Sequence, residues 1–111
     1  MSTRILVVDD DESTRKVLRR FLVSDGHVAA ACGGGTGALE RLHATHYDVL
    51  LTDLVMPGMS GVALVDAAKA LHPTLRCLIM TGHAPIEGMA NDVSWIAKPI
   101  DIDQLLTTLA P

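Results

Sequence analysis

Two kinds of apolar pattern alternate along the chain, and together they predict an α/β fold. Continuous apolar runs, which are typical of strands buried on both faces, occupy residues 5–8, 48–52 and 75–80. Weaker strand patterns occupy residues 27–31 and 95–97. Because strands that alternate with helices are joined by right-handed crossovers, the pattern predicts a doubly wound, five-stranded parallel sheet with helices on both faces.

The first predicted helix has an apolar face and a basic face. Its inward stripe has i, i+3, i+4 spacing and consists of Thr14, Val17, Leu18, Phe21 and Leu22. Its outer face, which we expect to be solvated, consists of Arg15, Lys16, Arg19 and Arg20. The helix is expected to end at Asp25-Gly26, since glycine is a common helix terminator.

Capping residues and apolar spacing predict further helices. Thr36 is the candidate N-cap of a short helix that extends to about residue 43. Another helix begins after the candidate N-cap Ser60 and ends at Pro73. Its expected buried residues are Leu64, Val65, Ala68 and Leu71. The apolar stripe of the last helix is Ile102, Leu105, Leu106 and Leu109.

Composition restricts the chain to a small folded domain. Its 111 residues suit a single core, and a charged content of 20% is too low for disorder. Only 3% of the residues are aromatic, so we expect an aliphatic core. No apolar run approaches the roughly 20 residues of a membrane span. Acidic residues that begin at Asp9 argue against a signal peptide.

Charge and cysteine content favour the cytoplasm and disfavour nucleic acid. The formal net charge is −4, which is unsuited to a protein that binds nucleic acid by neutralising phosphates. Cys32 and Cys77 lie in apolar surroundings, so we expect buried, reduced thiols rather than a disulfide. We therefore expect a cytoplasmic protein with no membrane contact and no direct nucleic-acid partner.

Polar residues follow the predicted strands at the points where a parallel sheet collects ligands. Asp9 and Asp10 follow the first strand, and Asp53 follows the third. Thr81 follows the fourth strand and Lys98 the fifth. Because the carboxyl ends of parallel strands share one edge of the sheet, these side chains should converge there.

Crowded carboxylates beside one ammonium group favour phosphoryl chemistry. Carboxylates a few ångströms apart repel each other, which raises at least one pKa unless a cation is present. Mg²⁺ suits such a cluster because it takes carboxylate, water and phosphate oxygens. Metal and Lys98 together would stabilise the oxygens of a transferring phosphoryl group, so a carboxylate beside them is a suitable nucleophile toward phosphorus. The placement alone predicts an aspartyl-phosphate site.

Four motifs, each at the end of a predicted strand, indicate a family. They are Ile5-Leu6-Val7-Val8-Asp9-Asp10, Asp53 with Met56-Pro57-Gly58, Thr81-Gly82 and Lys98-Pro99. In this combination the chain resembles the receiver domain of two-component response regulators, including single-domain chemotaxis receivers, over essentially its whole length. The resemblance implies a flavodoxin-like fold with the strand order 2-1-3-4-5.

The resemblance also implies the roles of the metal and phosphoryl ligands. Asp53 would be the phosphoacceptor. Asp10 would bind Mg²⁺ directly and Asp9 mainly through water, while the backbone carbonyl of Val55 would complete the protein ligands. Lys98 would pair with the phosphoryl group.

A conformational switch is implied as well. Thr81 would hydrogen-bond the phosphoryl group once it has formed. Trp95 occupies the position of the switch aromatic, whose ring turns inward when the threonine shifts. The Lys98-Pro99 peptide would be cis.

The chain departs from the family pattern between Thr81 and Lys98, which lie only 17 positions apart. The fourth helix of the pattern, between the fourth and fifth strands, is therefore expected to be shortened or absent. Residues 82–94 are expected to be mobile and to order on phosphorylation. Beside the route of an attacking water, Val55 cannot orient that water, whereas His83 offers a polar side chain.

The implied partners are those of a signalling protein. A histidine kinase or a histidine phosphotransfer protein would donate the phosphoryl group, and the basic face of the first helix is one candidate docking surface. The output would be a downstream protein target, and homodimerisation is left open. The domain would catalyse its own phosphorylation and slow dephosphorylation without being an enzyme in the turnover sense. We expect residues 1–111 to form one receiver domain, either a stand-alone regulator or the N-terminal part of a longer one.

Two other functions are weighed beside this one. Asp9-x-Asp11-x-Ser13 also fits the motif of haloacid-dehalogenase-like phosphatases, with Asp9 as nucleophile and Asp11 as acid/base. That fold usually needs a longer chain and leaves Asp53 without a role, and Asp11 is better explained as a residue that opens the first helix. A phosphorylation-independent adaptor is the third option, which the complete set of site residues disfavours.

Overall fold

Five parallel strands form one sheet in the order β2-β1-β3-β4-β5, which confirms the predicted fold. The computed structural model describes residues 3–82 and 93–110 of the chain. The strands are β1 (Arg4–Val8), β2 (Val28–Cys32), β3 (Val49–Asp53), β4 (Arg76–Thr81) and β5 (Val93–Ala97). The helices of the described residues are α1 (Glu12–Ser24), α2 (Gly35–Ala44), α3 (Gly61–Leu71) and α4 (Ile102–Leu109).

The core is divided between the two faces of the sheet. The face covered by α2 and α3 contains Leu6, Val8, Leu50, Cys77 and Ile79. The face covered by α1 and α4 contains Ile5, Val7, Leu51, Leu78 and Met80. Neighbouring residues of one strand point to opposite layers, which is why the central strands are apolar at almost every position.

The strands extend one residue beyond their apolar runs at the functional edge. Asp53 and Thr81 are the last residues of β3 and β4, where they pair in register with Met80 and Ala97. The apolar pattern ends before the polar residue, but the backbone pairing of the strands includes that residue. Both side chains therefore start from ordered strand backbone rather than from a loop.

One expectation for α1 is wrong. Leu18 and Leu22 are buried as predicted, but Val17 and Phe21 are 48% and 45% exposed. The two exposed side chains line a groove beside the segment that follows β5, so the sheet covers a narrower stripe of α1 than the periodicity indicates.

The N-terminus of α2 also differs from the prediction, because its N-cap is Gly34 rather than Thr36. Gly35 opens the helix in a buried position, where a Cβ would collide with the side chain of Met59. The predicted N-cap of α3 is confirmed, since Ser60 Oγ accepts a hydrogen bond from a backbone N–H of the first turn at 3.2 Å. Of the residues expected to be buried on this helix, Leu64, Val65 and Ala68 are buried, whereas Leu71 is half-buried.

Some expectations fall on residues 83–92, outside the described residues: the shortened or absent fourth helix, the mobility of that segment and the role of His83. In the part of the chain that the structure does describe, no helix combines the length and the apolar content needed to traverse a bilayer. No disulfide joins Cys32 to Cys77; the former is half-buried and the latter buried.

Candidate functional site

Three carboxylates meet at the carboxyl edge of the sheet. Asp9 and Asp10 follow β1, and Asp53 ends the neighbouring strand β3. One oxygen atom from each carboxylate lies within 4.8 Å of the others. Asp9 and Asp53 are only 1% and 8% exposed, whereas Asp10 is exposed to solvent. The cluster is therefore accessible to an ion from the side of Asp10.

Lys98 supplies the positive charge of the cluster. Its Nζ lies 3.1 Å from Oδ1 of Asp53 and 3.5 Å from Oδ2 of Asp9. Its backbone N–H donates a hydrogen bond to the Thr81 carbonyl at 2.9 Å, just beyond the last residue of β5. The Lys98–Pro99 peptide bond is cis, as the resemblance implies. The lysine side chain thus reaches past the end of β4 to both carboxylates.

Burial and charge act in opposite directions on these groups. Burial is the main influence on Asp9 and raises the pKa of its carboxyl group, although the hydrogen bond from Asp11 and the charge of Lys98 lower it. For Lys98, burial lowers the pKa, but the hydrogen bonds and charges of Asp53 and Asp9 together raise it above its ordinary value. Lys98 is therefore held as a cation among three carboxylates that outnumber it.

Hydrogen bonds fix the loop between β1 and α1. The Asp9 N–H donates to the Cys32 carbonyl at 3.2 Å, and the Asp11 N–H donates to Oδ1 of Asp9 at 2.9 Å. The Asp11 carboxylate caps α1 by accepting hydrogen bonds from the N–H and the hydroxyl of Thr14. These two hydrogen bonds lower the pKa of the Asp11 carboxyl group. A lowered pKa favours the ionised carboxylate, whereas a haloacid-dehalogenase-like phosphatase needs a proton donor at this position.

Gly61 is a site residue that the sequence patterns do not indicate. It is the first residue of α3, and its N–H donates to the Leu54 carbonyl at 2.8 Å. A Cβ at this position would collide with the backbone carbonyl of Asp53. Glycine therefore lets the start of α3 lie directly against the backbone of the candidate phosphoacceptor. The available signal in the sequence is a glycine immediately after the Ser60 cap.

The basic face of α1 is not fully solvated, contrary to expectation. Nη1 of Arg15 donates to the Asp9 carbonyl at 2.8 Å, and Nε of Arg19 donates to the Ala29 carbonyl at 3.0 Å. Both guanidinium groups reach backbone carbonyls outside α1, which the long arginine side chain allows. Helical periodicity cannot reveal such contacts, since both accepting carbonyls lie outside the helix.

The other predicted site residues lie on β4, on β5 and in the segment after β3. Thr81 is buried at the end of β4, and Trp95 is half-buried on β5. The register pairs Ile79 with Trp95 and Thr81 with Ala97. Because side chains alternate along a strand, Thr81 and Trp95 lie on the same face of the sheet. Val55 is 68% exposed in the segment after β3. The roles assigned to these three residues stay predictions.

A parallel 2-1-3-4-5 sheet with an acidic cluster and a lysine at its carboxyl edge defines the receiver class of α/β domains. The family model of the response regulator receiver domain matches residues 5–110, and the chain belongs to this family. The chain is therefore a receiver domain of two-component response regulators, as the sequence motifs predict.

Known relatives include both long regulators and single domains. The chain is 39% identical over 105 residues to the DNA-binding transcriptional regulator NtrC of Escherichia coli (strain K12), covering 90% of this chain and 22% of NtrC. It is 36% identical over 110 residues to the transcriptional regulatory protein ZraR of the same strain, covering 95% of this chain and 25% of ZraR. Among solved structures, Vibrio cholerae chemotaxis protein CheY4 is similar with a TM-score of 0.90 and 28% identity, covering 98% of this chain and 97% of CheY4.

The chain thus spans about a quarter of the length of the curated relatives it matches and nearly the whole of the chemotaxis protein. Receiver domains typically bind Mg²⁺ at an acidic aspartate cluster. They interact with histidine kinases or phosphotransfer proteins and with downstream effectors. In this chain, the acidic aspartate cluster is formed by Asp9, Asp10 and Asp53.

Proposed function

We propose that Asp53 accepts a phosphoryl group from the phosphohistidine of a histidine kinase or histidine phosphotransfer protein. An oxygen of Asp53 would form a bond to phosphorus while the phosphorus–nitrogen bond breaks and its electron pair remains on the imidazole. The observation that supports this proposal best is the 3.1 Å distance between Lys98 Nζ and Asp53 Oδ1. The ammonium group would balance the negative charge of the phosphoryl oxygens during the transfer.

The acidic cluster fits Mg²⁺ by the chemistry of its donors. Three carboxylates offer oxygen atoms within 4.8 Å of one another, and Mg²⁺ prefers oxygen ligands together with several waters. The proposal assigns direct binding to Asp10 and Asp53, a water-mediated contact to Asp9 and a backbone carbonyl ligand to Val55. When bound, the ion would supply positive charge to the phosphoryl oxygens.

Thr81 and Trp95 would transmit the phosphorylated state to the surface. β3 and β4 are paired through Asp53 and Met80, so Thr81 is the next residue along β4 at the same edge. A hydrogen bond from its hydroxyl to the phosphoryl group would draw the end of β4 toward Asp53. Trp95, which lies on the same face of the sheet, would turn into the space that this movement leaves.

An apolar groove beside Lys98 is the proposed docking surface for the phosphodonor. Its volume is about 460 Å³, and its lining includes Val17, Phe21, Lys98, Pro99, Ile100 and Ile102. Because Lys98 also contacts Asp53, a helix of the phosphodonor that binds in this groove would bring the phosphohistidine of that helix close to the phosphoacceptor. Lys16 and Arg20, which are exposed on α1, favour an acidic surface on the phosphodonor.

The proposal describes a signalling domain rather than an enzyme with turnover. The domain would catalyse its own phosphorylation, lose the phosphoryl group slowly by hydrolysis and present a changed surface to a downstream protein. This chemistry suits a stand-alone regulator, a homodimer or one domain of a longer regulator. A cytoplasmic location is part of the proposal, and the separate thiols of Cys32 and Cys77 are in keeping with a reducing compartment.

Intact-mass spectrometry after incubation with acetyl phosphate and Mg²⁺ tests the proposal. The wild type should gain one phosphoryl group, and both Asp53→Asn and a chelator should prevent this. Asp66→Asn, which changes an exposed acid on α3, is the matched control and should still be phosphorylated. An adduct that is lost in Asp9→Asn but kept in Asp53→Asn would indicate phosphatase chemistry. No adduct on the wild type would favour a phosphorylation-independent adaptor.

A further inference from the structure

Arg15 connects α1 to the backbone of the acidic loop. Its side chain is half-buried, and its Nη1 donates a hydrogen bond to the Asp9 carbonyl at 2.8 Å. Gly33, in the turn after β2, lies against the same group, because a Cβ at this glycine would approach Nη1 to 3.2 Å. The guanidinium group therefore lies between the loop after β1 and the turn after β2, at the carboxyl edge of the sheet.

The bond from Arg15 determines where Asp10 begins. A peptide unit is planar, so a fixed direction for the Asp9 carbonyl also fixes the Cα atom of Asp10. The Asp9 side chain has its own partners, the Asp11 N–H at 2.9 Å and the Lys98 ammonium group at 3.5 Å. None of the described residues donates a hydrogen bond to the Asp10 carboxylate, so its direction depends on the backbone that Arg15 holds.

We infer that Arg15 is a positioning residue for the Mg²⁺ site, because it holds the Asp9–Asp10 peptide in the orientation that directs the Asp10 carboxylate into the cluster. The inference rests on the proposed function, since it concerns the ion that the cluster would bind. The charge of Arg15 and its hydrogen bond predict opposite changes in Mg²⁺ affinity when the residue is replaced. A guanidinium group repels a nearby cation, so the loss of its charge alone would strengthen Mg²⁺ binding. The loss of its hydrogen bond would release Asp10 and weaken Mg²⁺ binding.

Arg19 provides a matched control on the same helix. Its Nε donates to the Ala29 carbonyl at 3.0 Å, which is the same kind of bond as that of Arg15 but is made to the second residue of β2, at the end of the strand away from the acidic cluster. If both arginines served only to attach α1 to the sheet, their replacement would have the same consequences. The Mg²⁺ affinity separates the two roles, because only Arg15 contacts the backbone next to a candidate metal ligand.

Arg15→Met and Arg19→Met test the inference, since methionine keeps an apolar stem and removes the donors. Isothermal titration calorimetry with MgCl₂ alone gives the affinity, and thermal unfolding in a chelator gives the stability without the ion. Both variants should lose a similar amount of thermal stability. Only Arg15→Met should bind Mg²⁺ more weakly, by about ten-fold, the lower end of the effect of residues that orient metal ligands. An Arg15→Met affinity equal to or tighter than that of the wild type would overturn the inference.

Gly33→Val approaches the same contact from the opposite side and serves if Arg15→Met fails to fold. The added side chain should displace the guanidinium group and weaken Mg²⁺ binding, whereas Gly34→Val, at a position with no atom near its Cβ, should not. Equal affinities of these two variants would overturn the inference. If the wild type takes up Mg²⁺ and a phosphoryl group, either of these negative results overturns the inference about Arg15 and leaves the proposed function intact. A wild type that takes up neither overturns the proposed function and the inference together.

Discussion

The ammonium group of Lys98 lies 3.1 Å from the Asp53 carboxylate, although β4 separates the strands from which the two residues extend. The same group lies 3.5 Å from Asp9. Because the second contact does not involve Asp53, Lys98 retains a partner when the charge on Asp53 is converted to an acyl phosphate. The ammonium group of Lys98 is thus placed to pair with the Asp53 carboxylate before the transfer and with the phosphoryl oxygens after it.

Lys98→Ala should slow the phosphorylation of Asp53 by acetyl phosphate about 10²-fold, the effect of removing one donor that stabilises developing negative charge. The rate of appearance of the phosphoryl adduct in intact-mass spectra, at fixed acetyl phosphate and Mg²⁺, measures this. Lys16→Ala is the control, because Lys16 is exposed and pairs only with Glu12 on the same helix in the described structure. A Lys98→Ala rate close to that of the wild type would contradict the role of the ammonium group.

Gly61→Ala should destabilise the domain by about 1–3 kcal/mol, the usual cost of forcing extra atoms into a packed site. The new methyl group would displace the Asp53 backbone, so phosphorylation should slow as well. Urea unfolding measures the first effect and adduct formation the second. Gly37→Ala is a control of opposite sign: its Cβ would meet only an ordinary contact in α2, and alanine should stabilise the helix by roughly 0.5–1 kcal/mol. Equal effects of the two substitutions would refute the steric explanation.

The fold is predictable from the sequence because the central strands are covered on both sides. Continuous apolar runs mark β1, β3 and β4, and the convergence of Asp9 and Asp53 follows from the parallel order of the sheet. The exposure of Phe21 is not predictable in the same way. Periodicity shows that a helix is amphipathic, but the fraction of its apolar stripe that becomes buried depends on the neighbouring elements.

Asp48 makes the stability of the domain depend on pH at the opposite end of the sheet. Its carboxylate accepts a hydrogen bond from the Arg4 N–H at 2.9 Å and contacts His46 Nε2 at 3.0 Å, and these interactions lower its pKa below 3.8. A lowered folded-state pKa means that the ionised group stabilises the protein above pH 3.8, and that this contribution disappears as the pH falls through the folded-state value.

Asp48→Asn should therefore cost less than about 1 kcal/mol at neutral pH, since the side chains of His46 and Asp48 are 76% and 47% exposed to solvent. The difference from the wild type should shrink as the pH falls below 4 on a series of urea unfolding curves. Asp66→Asn, at an exposed position, should show no such trend. A difference between Asp48→Asn and the wild type that is constant from pH 7 to pH 3 would exclude the effect.

Phe21→Ser should leave phosphorylation by acetyl phosphate unchanged but slow transfer from a protein donor about ten-fold, as expected when an aromatic anchor is removed from an interface. The donor to use is the autophosphorylated histidine kinase that phosphorylates the wild type fastest in a panel of kinases. Val28→Ser is the control, because Val28 is 46% exposed, close to the 45% of Phe21, but lies outside the groove. Equal slowing with both donors would instead indicate damage to the site itself.

Arg15 and Gly61 show why the site was less predictable than the fold. The sequence motifs place the reactive side chains at one edge, since each follows a strand. The residues that hold those side chains act through backbone contacts between separate elements, from α1 to the Asp9 carbonyl and from α3 to the Asp53 carbonyl. Such contacts depend on how closely the elements approach one another, which local sequence patterns do not encode.

Thr81 should couple the occupied site to Trp95. Trp95 is the sole tryptophan of the chain, so its fluorescence reports one environment. Beryllofluoride with Mg²⁺ imitates a phosphoryl group on an aspartate and should change this fluorescence in the wild type. In Thr81→Ala the ligand should still bind, as ¹⁹F NMR can show, while most of the fluorescence change is lost because the hydroxyl that draws in the end of β4 is missing.

Thr108→Ala is the matched control for this experiment. Its hydroxyl donates to the Gln104 carbonyl at 2.9 Å within α4, so the variant also loses a threonine hydroxyl, but on a helix that packs against the other face of the sheet. It should retain the full fluorescence response. A Thr81→Ala variant that binds beryllofluoride and responds as strongly as the wild type would break the link between Thr81 and Trp95, because the ring would then sense the occupied site by another route.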